Sequence, residues 1–313
     1  MVAVPSPAGL SDSFDELAAA HRRALLAHSY RMLGSIDDAE DAVQEAFARA
    51  WRGRETYRQD VSARAWLYRI ATNVCLDALE RRKHATGSAS LAAIEPIPEA
   101  LLADVSTEPH ARYDAHESIT LAFLEALQRL TPTQRAALIL RDVLGWRAAE
   151  VAGLLEVSPR AAESSLRRAR VAMAGAGAAA GATPAPTRPS AVRSLLDRYV
   201  RAWEAADIAG LVALLREDAI VTMPPGVMVT GTEAIARFLA EVVFDDERRI
   251  RMAPVRANGG IAYLVRSASR SHPELGPYAV IVVALDDMPA ITSMTVFAEP
   301  RVAARFAEAE LGA

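Results

Sequence analysis

The sequence predicts a multidomain chain: two all-α helical domains, the second a helix-turn-helix, followed by an α+β cone. Three observations predict this. Apolar residues recur at helical spacing from Phe14 to Met173. Thr131-Pro132 and Ser158-Pro159 are matching helix starts on either side of a tight turn, Glu156-Val157-Ser158. After Met173 the composition breaks into AGAGAAAGATPAPTRPS, and strand-like runs follow it.

Taken in order, Phe14 to Leu33 is an amphipathic helix with Leu17, Leu25, Leu26, Tyr30 and Leu33 spaced for burial, closed by Gly34. Ser35 caps a second helix, about Ile36 to Arg52, whose buried side is Ala39, Val43, Ala46, Phe47, Ala50 and Trp51. Asp37, Asp38, Asp41, Gln44 and Glu45 crowd its first turns. Carboxylates there favour the helix dipole, which accounts for two or three of them; five also suit a basic partner surface. A polar loop, Gly53 to Val61, leads to a long helix reaching about Arg82, with Trp66, Leu67, Ile70, Val74 and Leu79 available to a core. Tyr68, Asn73, Asp77 and Arg81 form a drifting stripe on it. Rings interleaved with basic and amide groups suit single-stranded bases; Trp66 and Tyr68 also read as core aromatics, which for Trp66 is the favoured reading.

Ser88 to Pro109 is acidic and punctuated by proline, the composition of a tether. The helix-turn-helix follows. Thr131, Pro132 and Gln134 make a capping box, Gly145 closes that helix, and Ala149, Val151, Ala152, Leu154 and Leu155 are the buried positions of the next. The helix after the turn carries Arg160, Arg167, Arg168 and Arg170 against Glu163, with Ser164 and Ser165 as short polar groups. In such a motif this second helix enters the DNA major groove. A bundle with an arginine-rich solvated face is the plainer reading of the same stretch. Glu156 takes a turn position that often holds glycine, so it needs a left-handed backbone at roughly 1 kcal/mol.

Beyond the Ala174–Ser190 linker, Val192 to Ala205 and Asp207 to Leu215 read as helices and Ala219 to Met223 as a strand. A Pro224-Pro225-Gly226 loop comes next, and Thr230-x-x-Glu233 reads as a capping box for a helix from Ala234 to Val243. Strands Arg249–Val255, Ile261–Ser269, Tyr278–Leu285 and Ile291–Ala298 complete an antiparallel sheet, and Pro300 starts a last helix. Trp203, Met223, Phe238, Tyr263, Met294 and Phe297 are either core or the lining of an apolar pocket for a small molecule.

Composition bounds the function. No apolar run of the 313 residues reaches the ~18 to 20 that a membrane span needs, and MVAVPSPAGLSDSFDE lacks the pattern of a secretory signal. The lone Cys75 excludes an internal disulfide or cysteine metal cluster, fits a reducing cytoplasm, and sits in an apolar helix as a small core residue. No metal, cofactor or catalytic residue is predicted. A net charge of −4 hides strong segregation: Asp37 to Glu45 is purely acidic, while Arg160 to Arg170 is basic.

Three ordered segments resemble the extracytoplasmic-function (ECF) sigma factors of bacterial RNA polymerase. DDAEDAVQEAFARAW is similar to that family's core-binding segment, TYRQDVSARAWLYRIATNVCLDALERRK to its minus-ten segment, and LTPTQRAALILRDVLGWRAAEVAGLLEVSPRAAESSLRRAR to its minus-thirty-five segment. The resemblance implies that Asp37, Asp38, Asp41, Gln44 and Glu45 face core RNA polymerase. It implies that Tyr57, Arg58 and Asp60 pocket a flipped promoter base, with Tyr68, Asn73, Asp77 and Arg81 beside it. Arg160, Glu163, Ser164, Arg167 and Arg168 would read the upstream duplex, and Ser88 to Pro109 would be the linker threaded through the polymerase. The implied segments are residues 12–86, 87–110, 111–174, 175–190 and 191–313.

The last of these resembles the SnoaL-like domain of a subset of ECF factors through LLDRYVRAWEAADIAGLVALLREDAIVTMPP and GTEAIARFL. It has Met228-Val229-Thr230 where relatives commonly carry a Trp-Tyr pair. Free-standing members include cyclases and isomerases using Asp or His; the candidates here, His272, Asp286 and Asp287, fall in a loop and a turn. Three function classes therefore compete: an initiation factor, a plain helix-turn-helix regulator, and a small-molecule enzyme. The acidic helix and the aromatic-basic helix favour the first, since the second needs neither.

Overall fold

The structure is a computed structural model that describes residues 10–57, 62–86, 94–102, 119–177, 189–244, 248–270 and 272–311. Arg58 and Asp60, most of the acidic linker and most of the Ala174–Ser190 segment lie outside the described residues. The chain divides into two compact units. One is all-helical and ends at Ala180; the other begins at Gly181 and also takes in Glu95–Ala100.

In the helical unit, α1 (Leu10–Leu33) stops at Gly34, whose φ of 80° is open to glycine. Then α2 (Ile36–Gly53) starts on Ser35, whose hydroxyl accepts from the Asp38 N–H. Its buried side is Ile36, Ala39, Ala42, Val43, Ala46 and Ala50. Trp51, expected there, is 40% exposed instead. It stands edge-on to Phe14 and carries the Arg54 guanidinium 4.3 Å from its ring centroid.

The long helix α3 (Ala63–Thr86) buries Leu67, Tyr68, Ala71, Val74 and Cys75. Burial pushes the Cys75 thiol up to about 12, so it is an inert packing group. Thr72 donates its hydroxyl proton to the Tyr68 carbonyl, so its oxygen accepts from Nε2–H of the fully buried His28, 2.9 Å away. Burial, with the Arg31 charge, pushes His28 down to about 3. A histidine held neutral in the fold but free to protonate once unfolded makes stability fall as pH drops below the unfolded value near 6.5. The loss reaches about 2 kcal/mol at pH 5. Urea midpoints at pH 7 and pH 5 check this; His28→Gln, which cannot titrate, should shrink the difference.

Next come α4 (Leu121–Gln128) and α5 (Pro132–Leu138), the latter opened by the Thr131–Gln134 capping box and continued by a π-turn over Ile139–Val143. The motif itself is α6 (Ala148–Leu154) and α7 (Pro159–Gly177), so the helix runs into what reads as linker. Val151, Ala152 and Leu154 are buried as spaced, whereas Ala149 is exposed and Leu155 half-buried.

The second unit begins with α8 (Pro189–Glu204) and a short α9 (Ile208–Val212) on an Asp207 cap. Six strands follow: β1 (Leu215–Met223), β2 (Val227–Thr230), β3 (Arg249–Ala257), β4 (Gly260–Ala268), β5 (Gly276–Leu285) and β6 (Ile291–Phe297). Between β2 and β3 lies α10 (Thr232–Phe238), and α11 (Pro300–Leu311) ends the chain. The sheet order is β2-β1-β6-β5-β4-β3.

Three expectations need correction. The sheet is mixed, because β1 pairs with β6 in parallel. A second strand, β2, hairpins onto β1 where a loop was expected. Finally, Thr230 lies in β2, so the helix after it is capped by Gly231 at φ 88° without a side-chain bond. Strand pairing claimed the threonine before it could cap.

Along β5, Ala279, Ile281, Val283 and Leu285 face one core with Tyr199 and Trp203, while Val280 faces a second with Phe306 of α11. A strand covered on both faces is why this run is continuously apolar.

Candidate nucleic-acid and polymerase interface

On α2 the five acidic-face residues divide by partner. Asp38 is paired with Arg82 of α3, and Glu45 accepts from Arg49 at 2.7 Å and Arg52 at 3.4 Å. The Arg49 hydrogen bond holds the Glu45 carboxyl below its ordinary range. Arg49 also reaches Asp77 at 2.9 Å, so Asp77 is engaged in joining α2 to α3. Asp41 and Gln44 are exposed, and Asp37 is half-buried. The outward face is thus narrower than the sequence suggests, because Arg82 of α3 engages Asp38 and Arg49 and Arg52 of α2 itself engage Glu45.

On α3, Arg81 is exposed and Asn73 half-buried, but Tyr68 does not stand in their stripe. It is 1% exposed, edge-on to His28 at 5.1 Å and to Trp146 at 5.6 Å, with Arg64 over its ring. Tyr57 is likewise buried, its ring 4.9 Å from that of the half-buried Trp66. One turn along α3, Arg69 forms a 2.7 Å ion pair with Glu156 of the helix-turn-helix turn. Between these elements runs a cleft of about 650 Å³ lined by Arg64, Arg69, Trp146, Arg147 and Glu150 among others. Helix α3 and the helix-turn-helix therefore face each other within one unit.

The turn of the motif has the expected backbone. Glu156 sits at φ 54°, and the Val157 N–H reaches back to the Ala152 carbonyl at 3.1 Å, the six-to-one bond of a Schellman ending. Ser158 then caps α7 through the Ala161 N–H. Along α7, Arg160, Glu163, Arg167 and Arg168 are exposed and Ser164 is half-buried. Arg168 donates to the Ser164 hydroxyl at 2.9 Å, and Ser165 is buried. Arg170 departs from its neighbours: it grips the buried Asp142 with two bonds of 2.8 and 2.6 Å. Its charge is engaged within the fold.

Residues 17–85 match the model for sigma-70 region 2, residues 120–173 that for sigma-70 region 4, and residues 196–284 that for a SnoaL-like domain. The ECF RNA polymerase sigma factor SigG of Mycobacterium tuberculosis is 45% identical over 223 residues, covering 66% of this chain and 60% of that protein. SigJ, also an ECF RNA polymerase sigma factor of M. tuberculosis, is 32% identical over 234 residues, covering 71% of this chain and 70% of its own.

The chain belongs to the ECF RNA polymerase sigma factors. It spans about 60% of the length of the SigG relative. Its fold is like the crystal structure of SigJ, with a TM-score of 0.60 at 24% identity over 94% of this chain and 98% of that one. In this sigma factor the region 2 match takes in the acidic α2 and α3 as far as residue 85, and the region 4 match takes in α6 and α7 as far as Met173.

Two features of the sigma factor were not read from the sequence. The first is the Arg69–Glu156 pair, which no local pattern signals because its members lie 87 residues apart. The second is Arg135, which is 4% exposed and binds backbone carbonyls; an arginine on the apolar side of the QRAALIL stretch was its available signal. In the SnoaL-like part, Trp203, Tyr263 and Met294 share one core with Phe238 packed against it. Phe297 pairs opposite Val280, which belongs to the core under α11, so it does not join them; nor does Met223. The shared core is filled by rings: Tyr199 lies 5.5 Å from Tyr263, Trp203 lies 5.2 Å from Phe244, and the Tyr199 hydroxyl points at the Met294 sulfur. Among the described residues no helix is long and apolar enough to cross a membrane.

Proposed function

We propose that this protein is a dissociable specificity subunit of cytoplasmic RNA polymerase, without catalysis of its own. It binds the core enzyme through the outward face of α2 and directs it to promoter DNA, and its SnoaL-like unit modulates that activity. The observation that carries the reading is α7: a true helix-turn-helix second helix whose Arg160, Arg167 and Arg168 stay exposed while the remaining arginine, Arg170, is neutralised inside the fold. In this reading α7 grips the minus-thirty-five duplex. Asn73, Arg81 and the Tyr57–Asp60 loop handle the melted minus-ten strand, and the acidic linker is laid into the polymerase. Tyr68 reaches DNA only if the cleft between α3 and the helix-turn-helix opens. Duplex elements about 25 base pairs apart are separated by roughly 85 Å at 3.4 Å per step, so opening is required for both to be engaged at once.

The test is a pull-down on purified core polymerase with run-off transcription. Asp41→Arg is the informative variant, because Asp41 is exposed while Asp38 and Glu45 hold ion pairs of the fold. Core retention should fall at least tenfold with the helical circular-dichroism signal unchanged. Undiminished retention would remove the α2 face from the account, and a wild-type chain that neither binds core nor supports run-off would reject the sigma reading.

A further inference from the structure

Four charged groups meet where α2 lies against α3. Glu45, Arg49 and Arg52 follow one another at i, i+4 and i+7, so they share one face of α2. Glu45 Oε1 accepts from both arginines, from Arg49 Nε at 2.7 Å and from Arg52 Nη2 at 3.4 Å. Arg49 then crosses the seam, its Nη1 donating to Asp77 of α3 at 2.9 Å. Two carboxylates face two guanidinium groups, so the cluster is neutral. The bonds to Glu45 and Asp77 hold Arg49 above its ordinary value.

The two ends of this cluster belong to different surfaces. Glu45 is one of the acids on the face of α2 assigned above to core polymerase, whereas Asp77 is the middle member of the Asn73–Asp77–Arg81 stripe assigned to the melted strand. Arg49 touches both, and a single carboxylate oxygen serves two arginines. None of the four side chains is buried: Arg49, Glu45 and Asp77 lie between 37% and 47% exposed, and Arg52 is 67% exposed. Ion pairs in that setting are weak and screened by salt, so a basic partner surface that desolvates Glu45 displaces them readily. Once such a partner has neutralised Glu45, the remaining Arg49, Arg52 and Asp77 carry a net positive charge at the edge of the stripe. Arg52 keeps its Nε bond to the Ala48 carbonyl at 3.1 Å, which holds the side chain while its terminal nitrogens change partner.

We propose that Arg49 and Arg52 are promoter-strand-binding residues held in reserve by Glu45, and that core polymerase frees them by taking that carboxylate. The proposal rests on the sigma reading above. Their ligand is the phosphate backbone of the melted strand, since a guanidinium fork matches phosphate oxygens and the contact needs no particular base. In the free protein Glu45 cancels the attraction, so the seam offers a strand nothing. In the holoenzyme the same arginines add to Arg81 along α3. One carboxylate thereby makes strand capture follow core binding, and the free factor does not occupy single strands by itself.

The full-length chain tests this in two settings. Without polymerase, binding to a labelled oligo-dT single strand is titrated against salt. Glu45→Gln should bind about threefold or more tighter than wild type, with a salt slope steeper by about 1.4 for two added phosphate contacts. Glu55→Gln removes the same charge from an exposed position three residues beyond Arg52 and should change affinity less than about twofold. Arg52→Gln or Arg49→Gln should leave the affinity of the otherwise wild-type protein nearly unchanged, yet abolish most of the gain when combined with Glu45→Gln. With core polymerase, on a promoter that the wild-type holoenzyme opens, Arg52→Gln and Arg49→Gln should retain core as well as wild type or better, because Glu45 is released to it. Both should nevertheless slow promoter opening, followed by permanganate reactivity, about threefold or more. A merely structural role for the arginines would not move retention and opening in opposite directions. Glu45→Gln binding oligo-dT no tighter than Glu55→Gln, a gain that survives loss of both arginines, or unchanged promoter opening in the arginine variants would each overturn the proposal. Absence of core binding by the wild type would instead mark failure of the sigma reading, and the proposal would fall with it.

Discussion

Arg135→Met is expected to lower the stability of the helical unit by about 3 to 5 kcal/mol, the largest loss of any single change considered. The guanidinium is buried and donates to the carbonyls of Leu127, Gln128 and Leu130 at 3.0, 3.1 and 3.4 Å, and to that of Met32. Met32, Leu127 and Gln128 are in the last turns of two helices, α1 ending at Leu33 and α4 ending at Gln128, and Leu130 lies just beyond the second. One cation therefore caps both helices and faces the negative ends of both dipoles. Burial pushes Arg135 down to about 10, which still leaves it charged at neutral pH. Methionine fills the space but removes every guanidinium hydrogen bond from these buried carbonyls. Arg135→Lys keeps the charge without the planar fork and should lose about half as much. Urea unfolding followed by helical circular dichroism measures both, and a loss below about 1 kcal/mol for the methionine variant would contradict the capping role.

The second large effect separates two arginines three residues apart on α7. Arg170→Ala should cost about 3 kcal/mol, because it strands the Asp142 carboxylate, whose side chain is 3% exposed, without its two hydrogen bonds. The cost sits at the low end for a buried pair, since Arg170 itself is 37% exposed. Arg167→Ala, on an exposed position, should leave stability within about 0.5 kcal/mol of wild type. It should weaken binding to an upstream-element duplex by about 1 to 3 kcal/mol if the arginine is bidentate to guanine. A uniform loss across sequences with a flatter salt dependence would assign it to phosphate instead. Thermal melts and salt-dependent duplex titrations of the two variants check the division. Equal destabilisation by both, or a DNA defect confined to Arg170→Ala, would reverse the assignment.

What the sequence by itself determined about this protein is what local physics writes within a few residues. Ser35, the Thr131–Gln134 box, Ser158 and the glycines at 34 and 145 mark helix ends because caps and left-handed turns depend on neighbours along the chain. The helix-turn-helix was legible for that reason, down to the left-handed Glu156, and the order of its segments with the acidic helix made the family legible too. The tertiary structure alone decided how each charge and ring is used. Tyr68 and Arg81 lie on one helix and are equally plausible DNA contacts in sequence, yet one is buried against Trp146 and the other is exposed. Arg167 and Arg170 differ only in that Asp142, 28 residues before the latter, points at one of them. Thr230 lost its cap to a strand partner, and an acidic linker gave up its middle to a turn 161 residues away. In each case the deciding partner is distant in sequence, and no periodicity or cap encodes a contact that exists only once the chain has closed on itself.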